Sequence, residues 1–191
     1  MLVFLKYLIQ QKKIYIKDEV IILYKKITKQ VGSFIISTNV MYVTDPCYKH
    51  GSAVAQAIPC IQGKWNASIV IYTDKSFGTR VGEMIATHSA YKSVKPTQLS
   101  KYGVINDSGQ LGFFDEPYYE GINPGGLFNI FKHNEVWYKM VSDLTASEKR
   151  AGIIEGKGFA SESGGLDGEF KTYIGTNPEG KIVAIKVVFI E

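Results

Sequence analysis

Short runs of β-branched and aromatic residues, each broken off by glycine, asparagine or proline, recur along this chain and leave little room for long helices. Residues 33–37 follow Val31-Gly32, residues 40–43 follow Thr38-Asn39, and Asp45-Pro46 ends the run sharply. Proline restricts the residue before it and cannot donate to a ladder. Residues 20–24 and 67–73 are further apolar runs of strand type. Near the C-terminus, residues 169–174 and 181–190 flank Gly175-Thr176-Asn177-Pro178-Glu179-Gly180, which predicts a β-hairpin. Its second strand alternates Ile182, Ala184, Lys186 and Val188 against Val183, Ile185, Val187 and Phe189.

The remaining segments add detail. Residues 80–88 match a helix through Val81, Met84, Ile85 and His88, but their alternation favours a strand. Residues 102–105 and 111–114 flank the turn Asn106-Asp107-Ser108-Gly109, as a hairpin or a strand-turn-strand would. Residues 117–126 read as a loop rich in Gly, Pro and Tyr. One helix is expected over 134–144, where Val136, Trp137, Met140, Val141 and Leu144 form a single apolar stripe. The expected fold is mainly β (α+β): nine or ten strands in a two-layer sheet or sandwich carrying one amphipathic helix. A length of 191 residues suits a single domain over 1–191, with 1–32 as an N-terminal extension.

Charge and cysteine use narrow the function classes. The net charge of +4 comes from scattered lysines, with no run of five basic residues, and so speaks against a nucleic-acid partner. Residues 1–9 are apolar, but Lys6 interrupts them and no cleavage site follows, so neither a signal peptide nor a membrane span is expected. A cytoplasmic location follows. Cys47 and Cys60 then read as buried thiols rather than a disulfide or zinc pair.

No catalytic signature is present. Gly175 to Lys181 has the Gly and Lys spacing of a phosphate-binding loop, but Ile182 stands where Ser or Thr is needed and a strand follows. His50, His88 and His133 are far apart in sequence, and Cys47 with His50 has no spacing that implies a hydrogen bond. Four acids, Asp45, Asp107, Asp115 and Asp167, lie at strand ends beside turns. If those ends converge, the carboxylates could hold a divalent cation or act as acid and base. The commoner use is to cap turn N–H groups. Residues 161–168, with Ser161, Ser163, Gly164, Gly165 and Asp167, could form a cradle for an anion, walled by Tyr173, Phe170, Tyr118 and Tyr119. A plain surface loop is the alternative.

Several blocks together resemble a widespread bacterial and phage family known as a domain of unknown function. They are residues 42–48 (Tyr-Val-Thr-Asp-Pro-Cys-Tyr), Gly103-Val104 with residues 107–115, Trp137-Tyr138 with Asp143-Leu144-Thr145, and Ser163-Gly164 with Asp167-Gly168. The likeness covers roughly residues 35–190. Gly164-Gly165-Leu166 departs from the pattern, and the first thirty or so residues stand as an addition. The resemblance implies a strand-rich intracellular domain and supplies no reaction and no catalytic residues. Its lysine- and isoleucine-rich members suit a phage or mobile-element accessory factor acting against host functions.

The expected function is therefore a non-catalytic binding protein for a small polar, nucleotide-like ligand or a partner protein. Its site would comprise Asp45, Asp107, Asp115, Ser161, Ser163, Asp167 and Tyr173; no metal or cofactor is assigned. A metal-dependent hydrolase using the same carboxylates and a purely structural module are the alternatives. An exposed edge strand near the C-terminus would allow a homodimer.

Overall fold

The computed structural model describes residues 25–74, 76–121 and 127–191. Twelve strands and one α-helix are present among them, so residues 20–24 lie outside the described part. The strands are β1 (Lys25–Ile36), β2 (Val40–Thr44), β3 (Gln56–Pro59), β4 (Gly63–Asp74), β5 (Gly78–His88) and β6 (Gln98–Leu99). They continue with β7 (Val104–Asn106), β8 (Gln110–Asp115), β9 (Ala151–Ile154), β10 (Gly158–Glu162), β11 (Gly168–Thr176) and β12 (Ile182–Val188). The helix α1 spans Leu127–Thr145. Residues 25–32 thus belong to β1, and 80–88 are strand.

The strands form two antiparallel sheets. The larger runs β1-β4-β5-β12-β11-β6, with β7 also paired to β11; the smaller runs β3-β2-β8-β10-β9. Phe34, Ile36, Trp65, Ile69 and Met84 of the larger sheet meet Met41, Val43, Leu111, Phe113 and Phe159 of the smaller one in a single core. The other face of the smaller sheet, with Tyr42, Phe114, Ile154 and Ala160, is covered by Trp137 and Val141 of α1 and by Tyr119. The fold is a β-sandwich with one helix laid on its smaller sheet.

This layering explains β8. Each of its six residues is buried, because Phe113 points between the sheets and Phe114 points under the helix. Gly112 and Gly158 make room for that ring: a Cβ on Gly112 would lie 2.1 Å from Phe114 Cζ, and one on Gly158 2.7 Å from Phe114 Cδ1. Gln110 ties the strand to the helix, its Oε1 accepting from Thr145 Oγ1 at 2.7 Å.

The described strands number twelve rather than nine or ten, and four further expectations change or narrow. The helix begins at Leu127 rather than 134, and Val136 is 67% exposed while Trp137 and Val141 are buried. Val136 sits one step, about 100°, round the helix from Trp137 and off the packed stripe. Of the two readings of the turn between β7 and β8, strand-turn-strand holds and the hairpin does not: β7 pairs with β11 and β8 with β2 and β10, so the chain crosses there from one sheet to the other. Residues 116–121 form a 3-10 helix rather than open loop. Finally, β12 lies between β5 and β11 and offers no free edge for a dimer.

Candidate functional site

Three segments meet at one end of the smaller sheet: residues 45–51 after β2, the turn 106–110, and residues 163–167 after β10. Asp45 is their hub. It is fully buried, and its carboxylate accepts from the amides of Cys47, Asp107 and Ser108, each at 2.8 Å, and from Ser108 Oγ at 2.6 Å. Ser163, also fully buried, accepts from Asn106 Nδ2 at 2.8 Å and donates to the Leu166 carbonyl at 2.6 Å, while its amide bonds the Gly109 carbonyl. The Tyr119 hydroxyl proton is shared between the carbonyls of Tyr48 (2.6 Å) and Asp45 (3.0 Å). Gly164, at φ 71°, passes so close to β5 that a Cβ would lie 2.7 Å from the Val81 carbonyl oxygen.

The junction therefore gathers Asp45, Asp107, Ser163 and Asp167, and most of its buried polar groups are satisfied internally. Asp107 and Asp167 remain exposed on its rim. Tyr48 donates to Asp107 at 2.6 Å, and desolvation together with that bond holds the Tyr48 phenol well above its usual range. Cys47 is exposed rather than buried, yet its thiol is pushed up to about 12, first by burial of the sulfur and then by hydrogen bonding to Asp45. A thiol so protonated is a poor nucleophile. Beside it, His50 lies 2.7 Å from Glu116 and stacks on Tyr42.

The other expected site residues lie elsewhere. Asp115 pairs with Met41 at the opposite end of the β2–β8 ladder from Thr44, which precedes Asp45. It is buried and accepts from the amide and hydroxyl of Ser37. Ser161 belongs to β10 rather than to a loop, is fully buried, and donates to the Glu162 carbonyl. His88 bonds the Gln62 carbonyl and the Ala90 amide at the end of β5, and its ring contacts are Trp65 and Tyr91. No group of three or more metal-ligating side chains is found among the described residues.

Tyr173 stands on the outer face of the larger sheet, among residues whose significance the sequence left hidden. Register places Lys26 opposite Tyr72, Lys186 opposite Tyr173, and Val188 opposite both Lys171 and Glu83. Five strands thus contribute one face. Together with Glu191 these side chains line a depression of about 390 Å³. Lys26 Nζ lies 4.3 Å from the Tyr72 ring centroid, and Lys186 Nζ 4.9 Å from that of Tyr173. Between them, Glu83 is 4.0 Å from Lys26 and 3.7 Å from Lys186, and its Oε1 accepts from the Tyr72 hydroxyl at 2.7 Å. Both lysine contacts are longer than a hydrogen bond. Lys171 is paired with Glu191 at 2.6 Å, which raises its pKa. The alternation of β12 signalled that Lys186 would face outward; nothing local to it pointed to Lys26 or Glu83.

Comparison of the chain with protein-family models, with curated proteins and with solved structures returned no match. No helix among the described residues is long and apolar enough to cross a membrane.

Proposed function

We propose that this chain is a non-catalytic binding protein that captures a small, anionic, nucleotide-like ligand on the outer face of its seven-stranded sheet. The observation that carries this reading is the pair Lys26 and Lys186. Each ammonium lies over a tyrosine ring beside one shared carboxylate, with no described hydrogen-bond acceptor within reach. The charged side chains of the depression are three lysines and two glutamates. A phosphate placed between the two ammonium groups would give both a charged acceptor. Tyr173, with Leu99 beside it in register and 60% exposed, provides the wall for a flat ring.

The loop junction supports this choice by contrast. The Asp45 carboxylate, with four donors, and the Ser163 hydroxyl, with one donor and one acceptor, have little capacity left for a ligand.

Calorimetric and NMR titrations with AMP, inorganic pyrophosphate and adenosine test the reading. AMP is expected to bind, to shift amides of β11 and β12, and to weaken at least about tenfold on Lys186→Met. Pyrophosphate binds more weakly for want of a ring, and adenosine does not bind. Unchanged spectra with both anions at millimolar concentration, or equal binding of AMP and adenosine, would sink the proposal.

A further inference from the structure

A second cleft lies where elements of the two sheets part. From the smaller sheet come Asn39 before β2, Pro59 at the end of β3, and Cys60 just beyond it; from the larger come Lys181 and Ile182 at the start of β12, with Tyr102 between β6 and β7. The cavity is about 520 Å³, within the range of small-molecule sites. Its walls divide by chemistry. Pro59, Cys60 and Ile182 are apolar, whereas the Lys181 ammonium, the Tyr102 hydroxyl and the Asn39 carboxamide are polar and make no hydrogen bond to any described residue.

We infer that this cleft is a binding site for a small amphipathic carboxylate, with its head at Lys181 and Tyr102 and its apolar chain against Pro59, Cys60 and Ile182. All three polar groups can donate to an oxyanion, and the ammonium supplies the charge that selects one. Lys101, whose amine lies 5.3 Å from the Tyr102 ring centroid, adds a second cation near the phenol. The orientation follows from the charges. Cys60 is 6% exposed, and its thiol is pushed up to about 12 by burial first and by the nearby Asp115 charge second. A negative head group is therefore disfavoured at the Cys60 end and belongs at the Lys181 rim. The backbone there is fixed independently of any ligand: the Ile61 amide bonds the Ile182 carbonyl, the Asn177 amide bonds the Lys181 carbonyl, and the Lys181 amide bonds Asn177 Oδ1. The cleft is separate from the lysine–tyrosine depression and shares no lining residue with it.

Octanoate and octylamine, equal in length and opposite in charge, are the probes. In titrations of the full chain followed by NMR, octanoate is expected to bind saturably and to shift the amides of Cys60, Tyr102, Gly180 and Lys181; octylamine is not. Lys181→Met should weaken octanoate about five- to tenfold. The urea midpoint should not change, because only backbone atoms of Lys181 hold the turn. Equal binding of the two probes, shifts confined to other parts of the chain, no octanoate binding at millimolar concentration, or full affinity in Lys181→Met would each overturn the inference.

Discussion

Replacing Asp45 by alanine removes the acceptor for three backbone amides and one hydroxyl at a fully buried position. The Ser108 hydroxyl can rotate to another partner, but the amides of Cys47, Asp107 and Ser108 cannot turn without rebuilding both loops. A buried donor left unpaired costs about 1–3 kcal/mol. Three of them would cost up to about 9 kcal/mol if independent, which they are not. Cys47 and Asp107 are exposed residues, so water reaches part of the loosened turn and the cost falls towards the lower bound. The expected loss is about 3–5 kcal/mol, which for a chain of this size lowers Tm by about 6–20 °C. Urea denaturation measures it, with an unchanged m-value as the check that the unfolding reaction is the same. Asp107→Asn is the control: the residue is exposed and its amide oxygen can still accept from Tyr48, so stability should change by less than about 0.5 kcal/mol. If Asp45→Ala cost under about 1 kcal/mol, or no more than Asp107→Asn, the carboxylate would not be the structural hub described above. Its place among ligand-binding residues would then reopen.

Two further outcomes follow from packing and protonation. Gly158→Ala should cost about 1–3 kcal/mol by urea denaturation, because its Cβ must displace the Phe114 ring held beneath α1; Phe114→Leu in the same chain should recover part of the loss, and full stability of the single variant would refute the close contact. Burial and the neighbouring Asp45 disfavour the Cys47 thiolate and raise its pKa to about 12, so at pH 8 alkylation by iodoacetamide should run more than about a hundredfold slower than for a free thiol. The rate, followed by mass spectrometry, should climb about tenfold per pH unit up to pH 10; reaction at the free-thiol rate at pH 8 would contradict the site geometry.

Elements whose pattern is local were legible in the sequence. The β11–β12 hairpin, the alternation of β12 and the strand character of β4 and β5 depend on side chains two positions apart, and they stand as expected. Strands β3, β6, β9 and β10 were missed. Each has five residues or fewer, too few for a period to show, and they owe their structure to the neighbours they pair with. The four aspartates show where local reading ends. Asp45 and Asp115 share a context, a strand end followed closely by proline, yet antiparallel pairing of β2 with β8 sends them to opposite ends of one ladder. Asp107 and Asp45 are 62 residues apart in sequence and are joined because the chain changes sheets at the turn between β7 and β8.

The same reasoning separates a folding device from the proposed ligand site on this sandwich. A polar group serves a ligand with the hydrogen-bonding capacity that folding leaves unused. At the loop junction the residue types are those of a cradle, but Asp45 and Ser163 are spent on tying three segments together. On the sheet face the residue types are ordinary for a solvated strand surface, and what matters is their pairing. Glu83 gives an oxygen to Tyr72 and stands too far from Lys26 and Lys186 to hydrogen-bond either. Its charge lies within 4.0 Å of both ammonium groups. Neutralising it as Glu83→Gln removes the only described carboxylate that draws the two lysines together. If the ammonium groups serve an anion, that change trades a better local charge for a looser arrangement. AMP and inorganic phosphate then respond differently, because only AMP has a ring by which Tyr173 can fix its position.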